Sequence, residues 1–201
     1  MKCNETRAAI GVALAAIAAG APAAAQSMFE GVPGLTHYGD ADGWQVKKLD
    51  SDDVWYGQAC ILFKELTPGP NPVQTYYRFD AEDPEISLRF RVPQAHSVPD
   101  RDAIDWGRLS PVTFQYAVST SGPISATDGV FEVEGHIGHD YIDATKVYVE
   151  LSLDVDAAVV DRMAAGERIG IAVKGTDGTT FNTGRATRGV ALARRCLSSF
   201  R

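Results

Sequence analysis

From Trp44 onward apolar and polar residues alternate in short runs. In ISLRFRV (86–92), Ile86, Leu88, Phe90 and Val92 fall on one side and Ser87, Arg89 and Arg91 on the other. KVYVELSL (146–153) repeats the pattern with Val147, Val149, Leu151 and Leu153. A period of two marks a strand with one buried and one wet face, as in antiparallel sheets. The same reading predicts strands at 44–49, 59–63, 73–79, 112–118, 130–136 and 168–174. Turn-forming runs divide them: TPGPNP at 67–72, AEDP at 81–84, TSGP at 120–123 and GTDGT at 175–179. Tyr76 and Tyr77 are neighbours on one predicted strand and so point to opposite faces; with one face wet, only one of them is expected to be buried.

Two segments carry the helical period instead. DAAVVDRMAAG (156–166) has Asp156 as its N-cap and Gly166 as its stop. In 184–200, Ala186, Val190, Ala193, Leu197 and Phe200 form an apolar stripe, with Thr183 as the expected cap. Gly189 is an awkward residue for the interior of that helix. Residues 27–43 lack periodicity and read as an extended N-terminal arm, and 93–111 as one long irregular connection. Many short strands with regular turns predict an all-β, mainly antiparallel fold. The expected architecture is a β-sandwich of about eight strands over 44–201, with a short helix between two late strands and a C-terminal helix.

The first 26 residues have a different character. Lys2 and Arg7 precede an apolar run from Ala8 to Gly20, and Ala23-Ala24-Ala25 closes it. That order is a secretory leader, with cleavage expected near Gln26 or Ser27. The run falls short of the roughly 20 apolar residues that span a bilayer. Cys3 precedes the run, so it is not a lipid-attachment cysteine, and cleavage removes it. Cys60 and Cys196 remain. In an oxidising compartment such a pair is most simply one disulfide. Closing a loop on the order of 100 residues is worth roughly 4 to 5 kcal/mol in the chain-entropy model.

Roughly 175 residues remain after cleavage, which fits one domain. The hydrophobic share is 45% and the net charge is -7; Lys2, Arg7 and Glu5 give the leader +1, leaving the rest near -8. An acidic balance argues against nucleic acid and anionic membrane surfaces as partners.

EGHIGHD (134–140) holds two of the four histidines and an aspartate. Gly135 and Gly138 make it read as a turn after a strand. The competing reading is a metal or catalytic site of His136, His139 and Asp140; a catalytic zinc wants three protein ligands, and the only other histidines are His37 and His96. No helical His-Glu-x-x-His pattern, nucleophile elbow or phosphate loop is present. GDADG (39–43) resembles the start of a calcium loop but lacks the glutamate at the twelfth position, where Ser51 stands. Trp44 and Trp55 are expected in the core, whereas Trp106, in the irregular connection, is a candidate ligand contact. Arg185, Arg188, Arg194 and Arg195 lie off the stripe of the last helix and read as a solvated face, with an anionic partner as the sharper alternative.

Several of these features together resemble the invasion-associated locus B family of alphaproteobacterial envelope proteins. They are the leader, the Trp44-Gln45-Val46 strand, Cys60 opening a strand, DAAVVDRMAAG followed by RIGIAVK, and the ending TGRATRGVALARRC. The resemblance implies a periplasmic β-sandwich with the early and late cysteines paired, and it carries no catalytic residues. The resulting expectation is a non-enzymatic envelope protein, in the periplasm or released beyond the cell, that needs no cofactor and binds an envelope protein or a small ligand. A metal-dependent hydrolase and a small-ligand binder are the alternatives.

Overall fold

The computed structural model describes residues 29, 31–52, 57–67, 73–82, 86–93, 111–143 and 146–200, with the backbone alone at 93, 126, 139–143 and 146–148. The predicted leader, Trp55, His96 and Trp106 lie outside the described residues. Ten strands are described: β1 Leu35–Ala41, β2 Trp44–Asp50, β3 Gln58–Glu65, β4 Gln74–Asp80, β5 Ile86–Pro93, β6 Val112–Ser119, β7 Phe131–Asp143, β8 Lys146–Val155, β9 Arg168–Val173 and β10 Thr179–Phe181. Two α-helices, α1 Ala157–Ala165 and α2 Thr187–Leu197, complete the fold. Among the described residues, no helix is long and apolar enough to cross a membrane.

All ten strands belong to one antiparallel sheet, in the order β1-β2-β3-β4-β5-β8-β7-β6-β9-β10. The sheet becomes a sandwich by doubling back within β7. The first part of β7 pairs with β6, from Phe131–Tyr116 to Gly135–Val112. The second part pairs with β8, beginning at Gly135–Leu153. Gly135 alone holds both registers, and such corners, where a strand passes from one layer to the other, close a sandwich. A Cβ at Gly135 would collide with the Ser152 carbonyl oxygen and stand 2.9 Å from the Phe114 ring. The corner therefore requires glycine for close approach.

This overturns the turn expected at EGHIGHD. The segment is strand throughout, with His136 opposite Ser152, His139 opposite Val149 and Asp140 opposite Tyr148. Its two glycines do not break the strand. The first permits a tight crossing, and a Cβ at the second would meet nothing within 4 Å.

The folded sheet buries its inner face. Leu88, Phe90, Leu151 and Leu153 of one layer share a core with Phe114, Tyr116, Ile169 and Ile171 of the other. Phe90 stacks on Phe181, the ring centroids 4.4 Å apart. Helix α2 covers β1 to β4, where the second layer does not reach. Its Val190, Ala193 and Cys196 join the core with Val160, Met163 and Ala164 of α1. Gly189 lets α2 lie close against the sheet, since a Cβ there would stand 2.8 Å from Leu62 Cδ1. That contact explains a residue the helical pattern alone disfavours. As expected, Asp156 caps α1, its carboxylate accepting from the Val159 N–H at 2.8 Å.

Both Tyr76 and Tyr77 are buried, at 5% and 1% exposure, against the expectation of one. The outer face has an apolar cluster of its own, in which Leu49, Ala59, Ile61, Phe63 and Tyr76 are covered by Phe29, Val32 and Leu35. The Phe29 ring meets Phe63 and Tyr76 edge-on at 5.5 and 5.3 Å. The expected N-terminal arm thus lies on the sheet and continues into edge strand β1.

Replacing Gly135 by Ala is expected to destabilise the fold by about 2 to 3 kcal/mol through overpacking. Gly138→Ala should be neutral or stabilising by roughly 0.5 kcal/mol, since an unhindered strand glycine gains from losing backbone freedom. Urea midpoints for the two variants would check this; equal losses would contradict the corner.

Candidate functional site

The two cysteines singled out by sequence are bonded, with Cα atoms 6.1 Å apart across a separation of 136 residues. Both are fully buried, and the bridge fastens α2 to β3. A second attachment joins the other end of α2 to the β1–β2 turn. That turn is two residues long, Asp42 and Gly43, with φ of 57° and 75°. Positive φ at both positions is what a type I′ hairpin demands, and Asp-Gly supplies it at little cost.

The turn also aims the Asp42 carboxylate at the start of α2. Helix α2 has Ala186 at its N-cap and no capping side chain of its own. Asp42 fills the role from 146 residues away: Oδ2 accepts the Arg188 N–H at 3.0 Å and Oδ1 accepts Arg188 Nε at 2.5 Å. Thr183, the expected cap, instead turns its hydroxyl toward the Glu167 carbonyl. Lys64 completes the junction. Its Nζ donates to the Thr183 carbonyl at 2.7 Å and lies 5.5 Å from the Trp44 ring. Trp44 packs in the core as expected, though among the described residues its Nε1 has no hydrogen-bond partner.

Burial pushes the Asp42 carboxyl up, but the hydrogen bonds and charge of Arg188, with the charge of Lys64, outweigh it and hold the group below the usual carboxylate range. Burial also lowers the Lys64 ammonium, partly offset by Asp42. An open cleft of about 560 Å³ lies beside this junction, between the end of β1 and the outer side of α2. Asp40, Ala41, Arg188, Ala191, Leu192 and Arg195 are among the residues lining it.

The four arginines singled out at the C-terminal end of the chain are mostly paired. Arg185 reaches Glu167 at 3.5 Å, Arg188 holds Asp42, and Arg194 reaches Asp161 at 2.9 Å. Only Arg195 of the four has no carboxylate partner among the described residues.

A polar row crosses the outer face of β4, β5 and β8. Glu150 accepts Arg89 Nη1 at 2.9 Å on one oxygen and the Tyr76 hydroxyl at 3.3 Å on the other. Arg91, 1% exposed, donates to the Gln74 side-chain oxygen at 3.3 Å. Burial, then the Glu150 charge, raises the Tyr76 phenol well above its ordinary value, so at neutral pH it serves as a hydrogen-bond donor. The row continues to His136, half-exposed, whose Nδ1 is 3.7 Å from Asp154. The side chains of His139 and Asp140 lie outside the described residues. Among the described ones, no three His, Cys, Asp or Glu side chains gather as metal ligands. His37 stands on β1, 3.1 Å from Asp40.

Asp42 offers a direct test of its role. A carboxyl with a depressed folded-state pKa adds stability above its unfolded value of about 4, and that stability is lost as pH falls through the folded value. Asp42→Asn keeps the backbone preference and an acceptor while removing the charge. It should cost about 1 kcal/mol at neutral pH, the difference between a charge-assisted and a neutral hydrogen bond. Urea titrations should show the gap to the parent protein closing in acid; a gap that persists or widens there would refute the assignment. No family model, curated protein or solved structure matches this chain.

Proposed function

We propose that this chain is exported by a leader cleaved near Gln26 or Ser27 and acts in the periplasm, or beyond the cell, by binding another envelope component. The Cys60–Cys196 bridge carries the reading. Both sulfur positions are fully buried and the bridge holds the last helix to the sheet. A bridge of this kind suits an oxidising compartment and would be at risk in a reducing one. The features that resemble the invasion-associated locus B family support the same reading, since an early strand cysteine and a cysteine in the closing helix belong to that outline. Binding in place of catalysis is supported by how the charged groups are used. Asp42, Arg188, Glu150 and Arg89 engage one another in fixed pairs, and the open cleft beside α2 offers a surface. The fold itself does not decide, because sandwiches host many functions.

A native mass spectrum of the protein, exported to a periplasm and purified without chelator, tests this directly. The expected mass begins at Gln26 or Ser27, lacks the two hydrogens lost to the bridge, and carries no metal. A retained leader or free thiols would overturn export. A bound metal that disappears in His139→Ala would replace binding by the metal-dependent hydrolase.

A further inference from the structure

We propose that the cleft between β1 and α2 receives an extended acidic segment of a partner protein, which adds to β1 as a further strand and places a carboxylate side chain on Arg195. The proposal rests on the binding reading above and names its surface and partner class.

Strand β1 ends the sheet, so its outer edge has no neighbouring strand among the described residues. The hairpin fixes which groups face outward. In a two-residue turn the flanking pair, Ala41–Trp44, exchanges both backbone hydrogen bonds. The next pair, Asp40–Gln45, therefore points its N–H and C=O groups away from each other. Those of Gln45 face β3, and those of Asp40 face the open edge. An extended peptide recognises such an edge through its own main chain.

Helix α2 supplies the second wall. Leu192 packs toward Gly39, where a Cβ would stand 3.2 Å from Leu192 Cδ2, so the helix sits close along the strand. Ala41 and Ala191 are small, which leaves the cleft open between a strand edge and a helix. That pairing of walls is how strand-adding domains hold a peptide.

Charge selects the occupant. Four charged side chains line the cleft: Asp42 and Arg188 hold each other, Asp40 lies 3.1 Å from His37 Nε2, and Arg195 is the fourth. Arg195, exposed on α2, is the one without a carboxylate among the described residues. An acidic side chain on the incoming segment completes it, with the fork geometry that guanidinium offers carboxylate. The register of β1 breaks between His37 and Gly39, which confines pairing to the Gly39–Ala41 end. Short pairing predicts weak, rapidly exchanging binding. It also explains how the edge avoids indiscriminate association, since bulged, charged edges resist it.

The probe is a short capped peptide alternating valine and glutamate, beside its glutamine counterpart, titrated into isotope-labelled, oxidised protein. Amide shifts should centre on Gly39 to Ala41 and on the Ala191–Arg195 turn, with the glutamine peptide about tenfold weaker. Arg195→Glu should lower affinity for the glutamate peptide by about tenfold or more. Asp40→Pro, which removes the outward N–H at a position where an edge tolerates proline, should abolish binding of both peptides. No shifts at millimolar peptide, shifts elsewhere, or equal affinity for the two peptides would overturn the proposal. So would a concentration-dependent dimer of the free protein that Asp40→Pro dissolves, because the edge would then belong to a second copy. None of these outcomes bears on leader cleavage or the disulfide, so the export reading stands or falls separately.

Discussion

The two layers of this protein exist because one strand crosses between them without a side chain in the way. At Gly135 the backbone of β7 leaves β6 and takes up β8 while pressed against the Ser152 carbonyl and the Phe114 ring. Hydrogen bonding therefore runs from β1 to β10 through one sheet. The core is then a single volume between the two halves, and Phe90 on Phe181 is one of the contacts that close it. Any side chain at the crossing would push the layers apart where their packing begins.

The second layer reaches only part of the larger one, and α2 covers the rest. That helix is fixed in three chemically different ways: by the covalent link to β3, by the glycine contact with Leu62, and by a borrowed cap from the β1–β2 turn. The last of these is electrostatic. Oriented N–H groups at a helix start favour a negative charge, which Asp42 supplies together with a hydrogen bond. Fixing both ends of α2 beside an edge strand leaves the narrow cleft between them with a defined shape.

Much of this is legible in the chain. All eight predicted strands are present because alternation in runs such as ISLRFRV leaves few other ways to bury one side. Helix α1 and its cap follow from Asp156 and Gly166, and the disulfide from the two cysteines that lie outside the predicted leader. What escapes has physical reasons. Strand β1, LTHYGDA, is mostly exposed and so carries no alternation, and β10 has three residues. Asp-Gly before an apolar strand is the strongest short hairpin signal. In GDADG the clustered acids point to calcium first, and the exposed strand ahead of them gives the hairpin no second arm to recognise. Tyr76 misleads because its face is covered by Phe29, far away in sequence. The Asp42 cap joins residues 146 apart, and no local pattern reports such a contact.

Synthesis delivers the chain from its N-terminal side. Strands β2, β3 and β4 therefore emerge long before the helix that covers them, and Cys60 meets no partner until 136 further residues have followed. During that interval Trp44, Leu62 and Tyr77, all nearly inaccessible in the finished molecule, face solvent. Contacts so distant in sequence form slowly, and exposed apolar strands invite association meanwhile. The burden of guarding that surface falls on whatever meets the chain as it emerges, and oxidation of Cys60 is the chemical mark that the vulnerable period is over.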